Sequence, residues 1–319
     1  MKLVNCNLCG STEQNHVYSK PDTLYCKGEW FDVVECKECG LGFVNPMPSP
    51  CEMGRYYPSL FYDYFADKAS EHLLRYRTES EYLKSITRKD RLLLDVGCAN
   101  GDFPRFMQSK GWQVEGVEIA ESSRPISEFK VFRTELSKIP ISEPRYDAIT
   151  AWAVIEHVHD PMAYFMKVGE ILKPGGLFVF LVTNFKSITS RYLFHEDIPR
   201  HLYFFSEETI GKYMKKAGLE LVMADYSDKI YQMKPLNWLR HYLYKVFLQR
   251  PLKWEDIPET RVEYLARHKL SNNIFGNVRY AATHPLTVMD RAAMPVYEKL
   301  QLLLNAYGIV VYVTRKPDR

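Results

Sequence analysis

The chain has 319 residues, 46% hydrophobic and 25% charged, enough to bury a full core and leave room for one main domain plus appendages. Its net charge of +3 counts against a nucleic-acid partner, which a concentrated basic surface would mark. The longest apolar stretches, such as residues 177–182, fall far short of the roughly 20 residues that span a bilayer. The N-terminus also lacks the basic-then-apolar order of a signal peptide, so a cytoplasmic location is expected.

Residues 1–50 carry two matched knuckles, CNLCG with Cys6 and Cys9, and CKECG with Cys36 and Cys39. In each, a tight turn can aim two thiolates at one ion, and two knuckles complete a tetrahedral four-cysteine zinc site. An odd total of seven cysteines and no secretory signal argue against a disulfide framework. Cys26 lies between the knuckles as an alternative ligand, while Cys51 and Cys98 read as small apolar residues. Four thiolates leave no open coordination position, so the metal would be structural.

Residues 51–90 form an aromatic linker and a first helix. VNPMPSP (44–50) is a Pro-rich connector, YYPSLFYDYF (56–65) is dense in rings, and the pattern predicts a helix over 70–86 with Leu73, Leu74, Tyr82, Leu83 and Ile86 as its apolar residues. From residue 91 to 226 strands and helices alternate. Strands are predicted at 92–96, 113–118, near 130, and at 146–151, 177–182, 219–225 and 308–314. Helices are predicted at 102–109, 161–172 (stopped by Pro174 and Gly175) and 206–217, the last capped by Ser206. Such alternation means an α/β fold with a mostly parallel sheet covered on both faces.

The first strand of this series, LLLDV, ends on Asp95 and runs into Gly97 and Gly101. Small residues there let backbone approach a ligand, and the following helix offers free N–H groups. An acid at that turn repels phosphate but suits an ammonium group, which favours an amino-acid nucleoside over a dinucleotide. GVEIA (116–120) places Glu118 at the end of the second strand, where a carboxylate can accept both ribose hydroxyls. RTELSKIP (133–140) places Glu135 after the third. Taken singly, Glu118 and Glu135 also read as solvated acids, and Glu156 and His157 as local hydrogen-bonders.

The order DVGCANG, GVEIA, YDAIT with IEHV, and LKPGG resembles the class I S-adenosylmethionine-dependent methyltransferases, over residues 90–226 and again at 308–314. The resemblance implies a Rossmann-like seven-stranded sheet whose last strand runs antiparallel beside the sixth. It also implies donor contacts from Asp95, Gly97, Cys98 and Gly101 to the amino-acid end, from Glu118 and Ile119 to ribose, and from Glu135 and Leu136 to adenine. Trp152 follows the fourth strand and narrows the methionine channel, and Ala99 replaces the usual middle glycine of the turn. The two-knuckle ribbon with its Tyr-rich sequel resembles methyltransferases of sugar, polysaccharide and secondary-metabolite pathways. A small-molecule or sugar/glycan acceptor and O-methylation are therefore expected. An RNA methyltransferase and a non-catalytic donor-binding protein are the alternatives; the mild charge and the aromatic linker count against the first.

Methyl transfer needs a base only for the acceptor proton. The stretch 183–206 supplies His195, His201, Glu196 and Asp197, and His201 is preferred because PRHLYFFS leads straight into the next helix. Residues 227–305 read as a helical insertion capping the acceptor, with 306–319 returning as the final core strand. Within the insertion, 234–254 places Leu236, Leu239, Leu243 and Val246 on one stripe, with six Lys or Arg and no acid from 229 to 253. Such a helix either packs on the core or lies in a membrane interface, the latter giving a peripheral contact at the inner membrane face.

Overall fold

The computed structural model describes residues 1–57, 69–120, 126–227 and 229–318. Two sheets organise it. The smaller begins with β1 (Gln14–Pro21), β2 (Trp30–Cys36) and β3 (Gly42–Val44), joined antiparallel. Its fourth strand comes from the far side of the sequence, as β9 below.

The larger sheet is built on central strands whose apolar runs are too continuous to alternate, as expected of burial on both faces, flanked by partly exposed edge strands. In chain order its strands are β4 (Leu92–Val96), β5 (Gln113–Val117), β6 (Lys130–Phe132), β7 (Tyr146–Trp152), β8 (Leu172–Thr183), β10 (Glu220–Asp225) and β11 (Ile309–Arg315). The spatial order is β10-β11-β8-β7-β4-β5-β6. β4 pairs parallel with both β5 and β7, while β11 runs antiparallel between β8 and β10. This is the expected Rossmann-like methyltransferase sheet. The winding reverses between β4 and β7, which places the ligand crevice at their carboxyl ends.

Helices α1 (Ala69–Glu81), α2 (Asp102–Ser109), α3 (Pro161–Ile171), α4 (Ile188–Tyr192) and α5 (Glu207–Ala217) connect or cover these strands. Ser206 caps α5 as expected, its hydroxyl accepting from Thr209 N. The short strand β9 (Tyr203–Phe204) leaves the core to pair with β3, Phe43 opposite Tyr203 and Gly42 opposite Phe204. The insertion is helical: α6 (Trp238–Phe247), α7 (Arg261–Arg267), α8 (Ile274–Thr283) and α9 (Pro285–Leu303). Among the described residues no helix is long and apolar enough to cross a membrane.

Three local expectations are corrected. Helix α3 ends at Ile171, and Pro174 and Gly175 lie inside β8 at an irregularity in its pairing with β7, so they mark a strand bulge and not the helix stop. Helix α1 ends at Glu81, and it buries Tyr76 and Glu79 while Leu74 is 72% exposed and Leu73 faces outward too. In the 234–254 stretch the helix runs only over Trp238–Phe247; Trp238 and His241 form its buried face, and Val246 is exposed. Most of the aromatic stretch 56–65 lies outside the described residues.

Candidate functional site: donor turn, acid–histidine cluster and cysteine knuckles

The turn after β4 shows why two glycines are needed. Gly97 N and Cys98 N both donate to Val117 O at 2.8 and 3.1 Å, drawing the loop under the end of β5. Gly97 (φ +71°) and Gly101 (φ +79°) sit in the left-handed region, and a Cβ at Gly97 would stand 2.5 Å from Val154 Cγ2. Ala99 holds φ +47°, the conformation its glycine counterpart would take freely. Cys98 is buried, and burial pushes its thiol well above the ordinary range.

Two acids bracket this turn. Glu118 Oε2 accepts from Ala99 N at 2.9 Å and Oε1 from Ala120 N at 2.8 Å, which fixes the carboxylate and leaves a lone pair on each oxygen for a diol. Ile119 beside it is exposed. Asp95 is buried and accepts from Thr150 Oγ1 at 2.6 Å. Burial pushes its carboxyl up to about 7, against the lowering pull of Thr150 and Arg75. A buried carboxylate of that kind fits a cationic ligand, whose charge would repay its desolvation. Glu135 pairs with Lys138 at 3.0 Å on the surface, and Leu136 is fully buried.

At the mouth of β7, Trp152 packs edge-on against Phe103, ring centroids 5.8 Å apart, and its Nε1 is buried without a hydrogen-bond partner. The chain then passes Val154 over Gly97 and delivers Glu156 and His157. Leu202 N donates to Glu156 O at 2.8 Å, which brings in His201. The Glu156, His157 and His201 side chains each offer a ligand atom within 4.8 Å of the others, a set able to hold a cation or pass a proton. His201 Nδ1 lies 2.7 Å from Glu196 Oε2, so the carboxylate fixes the ring and leaves Nε2 outside that bond. Burial alone would lower the His201 pKa; the Glu196 bond and the charges of Glu196, Glu156 and Asp197 outweigh it and raise it. His157 is pushed down to about 3 by burial and by His201, and its Nδ1 stands 2.9 Å from Arg200 O. Glu156 is pushed up to about 7 by burial, and Oε2 has no hydrogen-bond partner. His195 lies outside this cluster, pushed down to about 4 by burial and by neighbouring Lys20.

Behind the loop, Arg200 is fully buried, bound to Asp197, to Tyr56 O at 3.3 Å and to Asp22 at 3.4 Å. This anchor was not foreseen, nor were Arg75 and Glu79 of α1. Arg75 donates to Tyr231 OH at 2.8 Å, and its Nε lies 3.2 Å from Glu79, a carboxyl that burial pushes up to about 8. Their spacing of four residues was the available signal.

The four knuckle cysteines converge. Sγ–Sγ separations are 3.4 Å for Cys6–Cys39 and 3.5 Å for Cys9–Cys36, and all four sulfurs lie within 4.8 Å of one another. Tetrahedral zinc with bonds of about 2.3 Å requires sulfurs roughly 3.8 Å apart, so the set fits that ion. The two knuckles are built alike, with Gly10 N donating to Cys6 O and Gly40 N to Cys36 O. Cys26, the alternative ligand, stands outside the group and bonds Arg55 O.

Comparison with known proteins agrees with this geometry. A methyltransferase-domain family model matches residues 66–224, about half of the chain. The ubiquinone biosynthesis O-methyltransferase of Leptothrix cholodnii is 31% identical over 102 residues, 28% of this chain and 43% of that protein. Its Ruegeria pomeroyi counterpart is 27% identical over 165 residues, 46% of this chain and 65% of that protein. The chain thus spans less than two thirds of the length of these curated relatives. Among solved structures, a SAM-dependent methyltransferase from Archaeoglobus fulgidus aligns at a TM-score of 0.48 with 16% identity, covering 80% of this chain and 100% of that one. The Burkholderia thailandensis 1,6-didemethyltoxoflavin-N1-methyltransferase, solved with bound 1,6-didemethyltoxoflavin and S-adenosylhomocysteine, aligns at a TM-score of 0.43 with 17% identity over 61% of this chain and 87% of that one. The sheet order, the glycine turn closed by Glu118 and the matched domain together make the chain a member of the class I S-adenosylmethionine-dependent methyltransferases.

Proposed function

We propose that this chain transfers a methyl group from S-adenosylmethionine to a hydroxyl of a small-molecule or sugar/glycan acceptor. The observation that carries the reading is the contact of Val154 on Gly97, which sets the Glu156–His201–Glu196 cluster directly beyond the donor turn. The donor supplies an electrophilic methyl group on a sulfonium. Glu118 holds the ribose through its free lone pairs, and Asp95 with Thr150 faces the cationic amino-acid end. His201 Nε2 takes the acceptor proton while Glu196 stabilises the imidazolium that forms. Trp152, Phe103 and Tyr82 exclude water from the end of β7. The naming of the relatives as O-methyltransferases supports oxygen as the acceptor atom.

The knuckle cysteines are proposed to bind one structural zinc, since the burial that raises the thiols of Cys6 (to about 11) and Cys39 is offset once a metal takes the sulfurs as thiolates. The test of activity is incubation of the protein with methyl-labelled donor and metabolite or glycan fractions, read by mass spectrometry. His201→Ala should leave donor affinity intact and slow transfer by about 10²- to 10⁴-fold. Normal turnover in that variant would remove the base assignment. Donor binding with no acceptor labelled in any fraction would leave a binding protein.

A further inference from the structure

The insertion differs from the rest of the chain in charge. Residues 227–305 hold 12 of the 42 Lys and Arg but 7 of the 39 Asp and Glu, a net of +5 on a chain whose total is +3. Two of the six basic residues around α6 are paired with acids. Arg250 forms a two-pronged pair with Asp256 at 2.7 and 2.9 Å, and Lys229 pairs with Asp225 at 3.0 Å. Arg240 is half-buried, 3.4 Å from Thr287 Oγ1.

A concentration of uncompensated charge lies further on. Helices α7, α8 and α9 surround an open depression of about 540 Å³ lined by Arg261, Arg291, Tyr280, Thr287 and the aliphatic Val262 and Val288. Arg240 supports its floor through Thr287, and Arg240 Nε is buried with no hydrogen-bond partner. Arg261 bonds the neutral Asn277 Oδ1 at 2.7 Å, and among the described residues none of these three arginines forms an ion pair within 4.0 Å. Nearby acids are engaged elsewhere: Asp290 accepts from Asn237 N and Leu239 N, although Arg240 acts on its charge, and Glu259 is held by Arg267. Two of these helices, α8 and α9, also carry bare apolar side chains: Ile274 at 84% and Phe275 at 73% exposure, and Val278 and Met289, which are exposed too.

We propose that this face of the insertion docks on a bilayer containing anionic lipid, with Arg261 and Arg291 taking a lipid phosphate in the depression. Guanidinium groups match phosphate through paired N–H donors. The exposed aliphatic and aromatic side chains then enter the headgroup boundary, where an aqueous or nucleic-acid partner would leave them unmatched. A second copy of the chain is disfavoured, since it would bring one net-positive face against another.

Co-sedimentation with vesicles tests this. Vesicles of phosphatidylcholine with phosphatidylglycerol or phosphatidic acid should carry the protein down, and pure phosphatidylcholine should not. The double variant Arg261→Gln/Arg291→Gln should bind anionic vesicles about 30-fold more weakly, the equivalent of about 1 kcal/mol for each basic residue lost. Ile274→Ser/Phe275→Ser should also weaken binding while keeping the preference for anionic lipid. Wild-type protein that ignores anionic vesicles, binds neutral ones equally, or binds only soluble glycerol phosphate by calorimetry overturns the proposal. A double variant that binds like wild type removes the depression from it. If the arginine variant fails to fold, salt decides on wild type: raising it from about 0.1 M to about 1 M shortens the screening length from roughly 10 to 3 Å and should release the protein. Retention at high salt overturns the electrostatic docking.

Discussion

Replacing Glu196 by Gln tests the base assignment where the structure is most specific. The Glu196 carboxylate is fully buried, and its Oε2 lies 2.7 Å from His201 Nδ1, whose side chain is 12% exposed. A hydrogen bond between charged groups contributes about 1.5–3 kcal/mol, equivalent to about one to two pH units. His201 acts as base only when neutral, and its pKa is raised, so activity should climb as pH rises through that value. Gln removes the charge that favours the imidazolium, so the acid limb of kcat/KM should move to lower pH by about one to two units, and the weaker base should lower the plateau. Glu156, a carboxyl pushed up to about 7, also acts on His201, so the comparison is cleanest in a Glu156→Gln background. Stability gives a second readout. A raised histidine stabilises the fold fully below its unfolded value near 6.5, and the contribution fades as pH rises through the folded value. Glu196→Gln should therefore cost more stability at acid pH than at alkaline pH. An acid limb that stays in place, with a pH-independent stability loss, would refute the pairing of Glu196 with a catalytic His201.

Three further outcomes are expected. Purified protein should carry about one zinc per chain, and Cys39→Ser should lower that content; metal-free protein that folds normally would defeat the site, as read by metal analysis and circular dichroism. Glu118→Ala should weaken donor binding by about 1.5–3 kcal/mol, since it removes the charged acceptor for the ribose and frees Ala99 N and Ala120 N; calorimetry showing equal affinity would move that contact elsewhere. Because burial holds Asp95 near 7, binding a cationic donor near pH 6 should release protons and affinity should rise toward pH 8; calorimetry in buffers of different ionisation enthalpy that detects no proton release would sink this.

The larger sheet was legible because its strands are local apolar runs punctuated by glycine turns, and Ser206 showed its helix start directly. The bulge at Pro174 and Gly175 was not, since a proline and glycine after a helix read the same whether they stop it or kink the following strand. The segment around α1 was only partly legible because its packing depends on what it meets. Tyr76, Leu83 and Ile86 turn toward the core beside the buried Glu79, while Leu73 and Leu74 point away. The glycine turn after β4 and the convergence of the four cysteines could be anticipated from spacing alone, because each is made within one short segment or from paired motifs. The acid–histidine cluster joins residues 156 and 201 through a single main-chain bond, and nothing in the spacing of the two segments encodes that bond.

That same bond links the ribbon to the proposed base. Leu202 N donates to Glu156 O, Val44 N to Leu202 O, and the next two residues enter the ribbon sheet as its fourth strand. The loop bearing His201 is therefore stretched between β7, which sets the donor side, and β3, which follows directly from the second knuckle. The knuckles are themselves tied to the core. Asn7 bridges Asp160, Met162 N and Tyr213, Lys212 reaches Cys39 O at 3.1 Å, and Lys216 reaches Leu8 O at 2.6 Å. Loss of the metal would loosen one end of that span while leaving the Gly97–Gly101 turn and Glu118 untouched. The expected signature of Cys39→Ser is thus a fall in kcat with donor affinity preserved. Equal losses in both would mean that the ribbon supports the whole fold and does not act mainly by placing His201.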